Sequence, residues 1–268
     1  MRFGGDTWAF VRDLARVEAR WTVRVAAVGR FIAHHVHRAI RKRPLIVRWE
    51  GLWLELPLHR TAAARAYYFG RPDRWEFAFL EQYLRRGDLA VDLGAADGVM
   101  TLFLARQVGA AGEVIALERD RTALFELSTN LALNELDQVT VRSPEPTEAD
   151  GQGDEPYPPL DAVVGERDPD VAVLQAPDET AHILAGADAL MARGTPLAWL
   201  VDLPNDRAAT GYIAALLERR GYRFCVYDVR TNTLRRRDWR NPRSRRLLAV
   251  RDVEEVTSRI REERPVAD

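Results

Sequence analysis

The sequence predicts an α/β protein with a doubly wound, mostly parallel sheet and an amphipathic helical extension at its N-terminus. Three observations predict it. From Leu89 onward, short apolar runs alternate with helical patterns at the spacing of βαβ units. Those runs are almost continuously apolar, which fits strands covered on both faces. Residues 7–41 instead repeat apolar side chains every three and four positions, the period of one long helix.

The elements follow in order. Asp6 or Thr7 can cap the first helix. Val11, Leu14, Trp21, Val25, Val28 and Ile32 fall on one face, with Arg12, Arg16, Arg20 and Arg24 as a basic stripe beside it. Pro44 ends the element, because a residue before proline disfavours helix. LIVRWEGLWLEL, residues 45–56, reads as two short strands around Glu50-Gly51. DRWEFAFLEQYLRRG reads as a helix that Gly87 stops. Strand LAVDL, helix VMTLFLARQV, strand EVIALE, helix TALFELSTNLALNEL and strand VTVR come next. Ser143 to Pro159, rich in proline, glycine and acids, reads as a surface loop. Alternation resumes with strand DVAVLQA, helix TAHILAGADALMAR, strand PLAWLVDL, helix RAATGYIAALLERR and strand RFCVYDV. An arginine-rich, hairpin-like segment, strand RRLLAVR and a polar helix, VEEVTSRIREE, close the chain. The expected division is a helical extension over residues 1–44 and an α/β domain over 45–268.

Composition narrows the function classes. The 268 residues carry 39 basic and 40 acidic side chains, so no global field favours nucleic acid or membrane. The charge is uneven, with arginines concentrated in residues 1–43 and acids between Glu145 and Asp154. The single cysteine, Cys225, excludes an internal disulfide and a multi-cysteine metal site, and reads as a small buried apolar residue. Neither a signal-peptide layout nor an uncharged stretch of membrane-spanning length is visible, so a cytoplasmic protein is expected.

The chemistry concentrates in VDLGAADG, at the end of the first strand of the alternating part, where ligands of doubly wound sheets sit. Gly94 lets the backbone turn sharply, and Gly98 lets a ligand or the next helix approach. Amides of a helix N-terminus then face the bound group. The spacing is neither the dinucleotide G-x-G-x-x-G nor a Walker loop, which disfavours a dehydrogenase or a nucleotide triphosphatase. It suits S-adenosylmethionine, a nucleoside with an amino-acid tail. Glu118, ending the next strand, is placed to accept both ribose hydroxyls; the alternative is a solvated strand end. Asp92 either orients the loop or reaches the ligand ammonium through water. Asp97 is a cofactor contact or a polar turn residue.

From FLEQYLRRGDLAVDLGAADGVMTLFLA through NLALNELDQVTV the chain resembles the FkbM-type S-adenosylmethionine-dependent methyltransferases. Their strand ends in D-x-G-A-N-x-G before Y-T-L, their second strand in F/L-E-P, and a helix carries N-L-x-L-N. Asp92, Gly94, Ala95, Ala96, Gly98, Thr101, Glu118, Asn130 and Asn134 occupy those positions. The expected cofactor set is Asp92, Gly94, Ala95, Ala96, Asp97, Gly98, Thr101, Glu118 and Arg119. The resemblance covers most of the chain after residue 44. It implies a class I methyltransferase fold and methyl transfer to an oxygen of a sugar or another small metabolite.

The family's fourth-strand signature, L-K-I-D-V-E-G-A-E, departs here. Aligned without a gap, its lysine falls on Val173, its aspartate on Gln175, its glutamate on Pro177 and its glycine on Asp178. Methyl transfer needs in-line approach above all, and an alcohol also gains from a base. Gln175 can hold a hydroxyl but cannot deprotonate it. Asp178, Glu179 and His182 follow, with Asp178 also a good helix cap. Asp202, at the position of a family glutamate on the fifth strand, is the remaining acid/base candidate, or else a turn former before Pro204. A catalytically impaired, cofactor-binding assembly partner is the alternative function.

No metal-ligand set is predicted: His34, His35 and His37 read as surface or interface residues, and His59 has no assigned role. For the basic extension, packing on the domain or on a second subunit ranks first, an anionic membrane surface second and nucleic acid third. RTNTLRRRDWRNPRSRR, residues 230–246, is either an oxyanion-binding loop or a solvated hairpin.

Overall fold

The computed structural model describes residues 3–16, 21–59, 62–71, 74–144, 156–240 and 246–262. A hairpin of β1 (Leu45–Trp49) and β2 (Leu52–Leu56) precedes an eight-stranded sheet. The sheet comprises β3 (Leu89–Leu93), β4 (Glu113–Leu117), β5 (Val139–Arg142), β6 (Val171–Leu174), β7 (Ala198–Asp202), β8 (Arg223–Asp228), β9 (Thr233–Arg236) and β10 (Arg246–Val250). Their order is β5-β4-β3-β6-β7-β10-β8-β9. The pairs from β5 through β7 are parallel, whereas β10 runs antiparallel to both β7 and β8. The sheet is thus doubly wound, mostly parallel and Rossmann-like, as the alternation predicts. Leaving β10 and the edge strand β9 aside, the order matches the dinucleotide-fold order 3-2-1-4-5-6. Insertion of β10 separates this sheet from a plain dinucleotide fold, independently of the glycine spacing.

Side-chain alternation sends successive strand residues to opposite faces. Ala90, Val114, Val173 and Leu200 face one core, built with α4 (Arg74–Tyr83), α5 (Val99–Val108) and α11 (Val253–Arg261). Val91, Ile115, Leu174 and Trp199 face the other, built with α7 (Leu160–Val164), α8 (Thr180–Ala185), α9 (Asp188–Arg193) and α10 (Arg207–Arg219). Burial on both faces explains the uninterrupted apolar strands. Cys225 lies in β8 as expected, buried, with its thiol pushed up to about 11 by desolvation.

The extension differs from one long helix. Two helices, α1 (Phe3–Arg16) and α2 (Trp21–Arg41), flank residues 17–20, and the Phe10 and Phe31 rings stack with centroids 4.1 Å apart. In a continuous helix those residues would stand about 31 Å apart. Helix α1 therefore doubles back on α2, and both pack on α3 (Ala62–Phe69), an element not anticipated. Phe10, Ala27 and His34 are buried. Of the six residues on the predicted face, Leu14 and Val28 pack against this cluster, while Val11, Trp21, Val25 and Ile32 are exposed. His34 is not a surface residue, because its Nδ1 meets the Tyr68 hydroxyl at 2.5 Å.

The predicted helix 180–193 is two helices. Asp161 of α7 accepts from the Ala189 and Leu190 amides at 2.8 and 2.9 Å, capping α9 as a separate element. The acidic run Glu145 to Asp154 and residues 241–245 of the arginine-rich segment lie outside the described residues.

Candidate functional site

The chain leaves β3 for β4 and β5 on one side, then returns to place β6 on the other. The switch point therefore lies between β3 and β6, where crevices form beyond strand carboxyl ends. Two loops meet there: the turn after β3 and the segment after β6.

The turn is unusually left-handed. Gly94, Ala96 and Gly98 have φ of 75°, 51° and 89°. The Gly94 and Ala95 amides both donate to the Leu117 carbonyl, at 2.9 and 3.1 Å, which pins the turn to β4. A Cβ at Gly94 would lie 3.1 Å from the Gln175 carbonyl carbon and 3.2 Å from the Ala176 nitrogen. Glycine there lets the two loops touch. A Cβ at Gly98 would come within 2.7 Å of Leu127 Cδ1. Gly98 caps α5, whose first-turn amides lack intrahelical acceptors and favour an anionic group. Ala95 is buried and Ala96 is the exposed tip of the turn.

Asp92 is fully buried and ties both loops together. Its Oδ2 accepts from Thr101 Oγ1 at 2.6 Å, and its Oδ1 from Gln175 Nε2 at 2.9 Å. Burial pushes its pKa up to about 6, against the pull of those two hydrogen bonds and of Arg246, with the Glu118 charge adding to the rise. Both carboxylate oxygens of Asp92 are thereby engaged, one by each loop side.

Glu118 is also buried. Its Oε2 accepts from the Ala96 amide at 2.7 Å, and its Oε1 from the Arg119 and Asp120 amides at 2.8 and 2.9 Å. A carboxylate offers about four acceptor positions, so three backbone donors leave one, on Oε2.

Asp97 serves the scaffold. Its Oδ2 accepts from the Ala63 amide at 2.6 Å in the first turn of α3, and its carbonyl accepts from Asn130 Nδ2 at 2.7 Å. Asn130, on α6 (Arg121–Ala132), also accepts from the Glu55 amide at 2.7 Å. Asn134 accepts from the Trp53 amide and donates to the Trp53 carbonyl, both at 2.7 Å. The two asparagines act as a strand edge for β2, so N-L-x-L-N fastens the hairpin to the α/β core.

Beyond β6 the expected acceptor residues are differently employed. Gln175 is half-buried and committed through its amide nitrogen to Asp92. Asp178 is exposed and does not cap: the N-cap of α8 is Glu179, without a side-chain bond. Arg119 pairs with Glu179 at 3.3 Å and lies 5.9 Å from the Tyr157 ring centroid, clamping the β4 and β6 loops. Asp202 is not an unengaged base. Arg246 grips it with two nitrogens, one at 2.6 Å, and also bonds Glu76. The register explains the first pair, since Arg246 stands opposite Asp202 in the β10–β7 ladder.

Tyr157 is the residue sequence reasoning missed. It lies in the segment read as surface loop, yet it is buried among Glu118, Arg119, Glu179 and Asp92, and burial raises its phenol pKa. The only signal was an aromatic residue in a polar, proline-rich run. His59 pairs with Glu126 at 3.2 Å. Among the described residues, no group of three or more His, Cys, Asp or Glu side chains is arranged to hold a metal ion.

No family model matches the chain. Over 73 residues it is 34% identical to the ribosomal protein L11 methyltransferase of Thermotoga neapolitana, a stretch that is 27% of this chain and 27% of that protein. The chain thus spans about a quarter of the length of this curated relative. Solved structures similar to it include a methyltransferase from Pyrococcus furiosus, with a TM-score of 0.46 and 15% identity over 83% of this chain and 96% of that one. A SAM-dependent O-methyltransferase from Thermotoga maritima gives 0.43 and 18% over 80% and 79%. An rRNA methylase from Streptococcus thermophilus gives 0.43 and 19% over 67% and 94%.

Proposed function

We propose that the chain is a methyltransferase that binds S-adenosylmethionine beyond the carboxyl ends of β3 and β4 and methylates an oxygen of a sugar or another small metabolite. One observation carries the reading: a glycine turn with three left-handed residues, locked to a buried carboxylate on the next strand, sits at the switch point of the sheet. The FkbM-type resemblance and the local likeness to a ribosomal protein methyltransferase support it.

The residues fit the cofactor. First-turn amides of α5 suit the carboxylate of its amino-acid tail, and the remaining position on Glu118 Oε2 suits one ribose hydroxyl. Carboxylates of Asp92 and Glu118 give the crevice the negative character a sulfonium prefers. When bound, the cofactor supplies an electrophilic methyl group. Gln175 borders the acceptor, and its carbonyl oxygen can accept from an acceptor hydroxyl and hold it in line. Thr101 and Asp92 keep Gln175 in that orientation.

A second reading, a cofactor-binding assembly partner with impaired catalysis, is favoured by two observations. Gln175 replaces an acid, and Asp202 is taken by Arg246. Exclusion of nucleic acid, expected from charge, is not part of the proposal, and the acceptor assay includes RNA.

Isothermal titration with S-adenosylmethionine, S-adenosylhomocysteine and NAD decides the ligand. Binding of both sulfur nucleosides is expected. If neither binds, the methyltransferase reading falls, and binding of NAD alone would restore the dehydrogenase. Glu118→Ala should weaken the sulfur nucleosides about tenfold, equal to about 1.4 kcal/mol. Unchanged affinity removes Glu118 from the site. Cofactor binding without turnover of sugars, small hydroxylated metabolites or RNA favours the impaired reading.

A further inference from the structure

Helix α2 carries its apolar residues on the wrong side for a packing helix. At about 100° per residue, the buried Ala27 and His34 and the half-buried Phe31 fall within about 60° of arc. They face α1 and α3. Trp21, Val25, Ile32, Val36 and Ile40 fall in a separate arc of about 100°, which Gly29 and Ala39 complete without a charge. All five large side chains are exposed, Trp21 at 74% and Ile40 at 71%. Trp8 and Val11 of α1 are exposed as well.

The charge around this stripe selects its partner. Helix α2 contains Arg24, Arg30, Arg38 and Arg41 but no aspartate or glutamate. Exposed Arg24 flanks the stripe, and exposed Arg41, Lys42 and Arg43 follow its end. Two copies of α2 packed about a twofold axis would set arginine against arginine with no carboxylate on either helix to offset it. A nucleic acid would meet the cations but leave five apolar side chains against water. An anionic lipid surface satisfies both features, with apolar residues among the acyl chains and arginines at the headgroups. Trp21 suits the boundary between them. No helix among the described residues is long and apolar enough to cross a membrane, so contact along the surface is the geometry left to α2.

We propose that α2 docks the protein flat on an anionic membrane surface through the Trp21–Val25–Ile32–Val36–Ile40 stripe. The inference does not rest on the methyltransferase reading. Flotation of the full chain with phosphatidylcholine vesicles, with and without phosphatidylglycerol, tests it. Binding should require phosphatidylglycerol and weaken as salt rises. Ile32→Asp with Ile40→Asp, both exposed, should reduce it by about tenfold or more while circular dichroism and the denaturant midpoint stay unchanged. Arg24→Glu should reduce it about fivefold. Absence of binding, equal binding to uncharged vesicles, or insensitivity to the paired aspartates overturns the proposal. Light scattering that shows a dimer which the same paired variant dissociates overturns it in favour of a second copy.

Discussion

The two halves of the candidate site are held by different kinds of bond. On the β3–β4 side the fastening is to backbone. Glu118 takes three main-chain amides, and Gly94 and Ala95 share the Leu117 carbonyl. Beyond β6 and β7 the fastening is between side chains distant in the chain. Arg246 joins Asp202, 44 positions away, to Glu76, 170 positions away, while Arg119 reaches Glu179. Backbone fastening leaves a fixed cradle whose remaining acceptor is defined by geometry. Side-chain fastening spends the very charges an acid/base site would use. The contrast explains why the β3–β4 half is a fixed cradle while the β6–β7 half offers a glutamine and an aspartate neutralised by Arg246.

Breaking the side-chain half should have the largest effect. Side chains of Arg246 and Glu76 are 11% and 3% exposed, so Arg246→Met takes a buried cation away from two carboxylates. The loss should be about 3–5 kcal/mol. Denaturant unfolding measures it, and a loss below about 1 kcal/mol would mean the cluster is solvated and Asp202 open to act as a base.

Asp92, where the halves join, sharpens the contrast through pH. Its pKa rises from the ordinary 3.8 to about 6 on folding, because burial disfavours the charge. Between those values the folded state holds more proton than the unfolded one, so stability falls as pH rises through that window. At 1.36 kcal/mol per unit the loss attributable to Asp92 approaches about 3 kcal/mol above pH 6. Asp92→Asn has no such titration. The variant's stability relative to the parent should therefore improve by about 2 kcal/mol from pH 4 to pH 6, and by about 3 kcal/mol over the whole window from below pH 3 to above pH 7. A pH-independent difference between the two would show that Asp92 titrates normally.

The same contrast sets what was legible in the sequence. The strands, their alternation and the β3 turn were visible because glycine spacing and apolar runs are local. Glu118 was visible as the residue ending the next strand, though its three amide partners were not. Arg246 was unreadable as the partner of Asp202, because nothing local says that β10 lies against β7. Tyr157 was hidden in a polar run whose burial depends on where α7 and α8 sit. Helix α2 failed for another reason. It has two apolar arcs, Ala27–Phe31 and Trp21–Val25–Ile32, and periodicity reports their presence without saying which one meets the core.

Gly94 tests the seam between the halves with the smallest expected effect. Its φ of 75° suits an alanine poorly, at a cost of about 1–2 kcal/mol. The added Cβ would also press on the backbone of Gln175 and Ala176 at 3.1 and 3.2 Å, atoms that cannot rotate away. Gly94→Ala should therefore destabilise the fold by about 2 kcal/mol and push the β6 loop from the β3 turn. That movement stretches the Gln175–Asp92 bond, so cofactor affinity should fall less than turnover in any acceptor assay. Chemical denaturation and cofactor titration of this single variant read both consequences. Equal loss of affinity and turnover would mean that the seam belongs to the cofactor cradle alone, and that Gln175 does not border the acceptor.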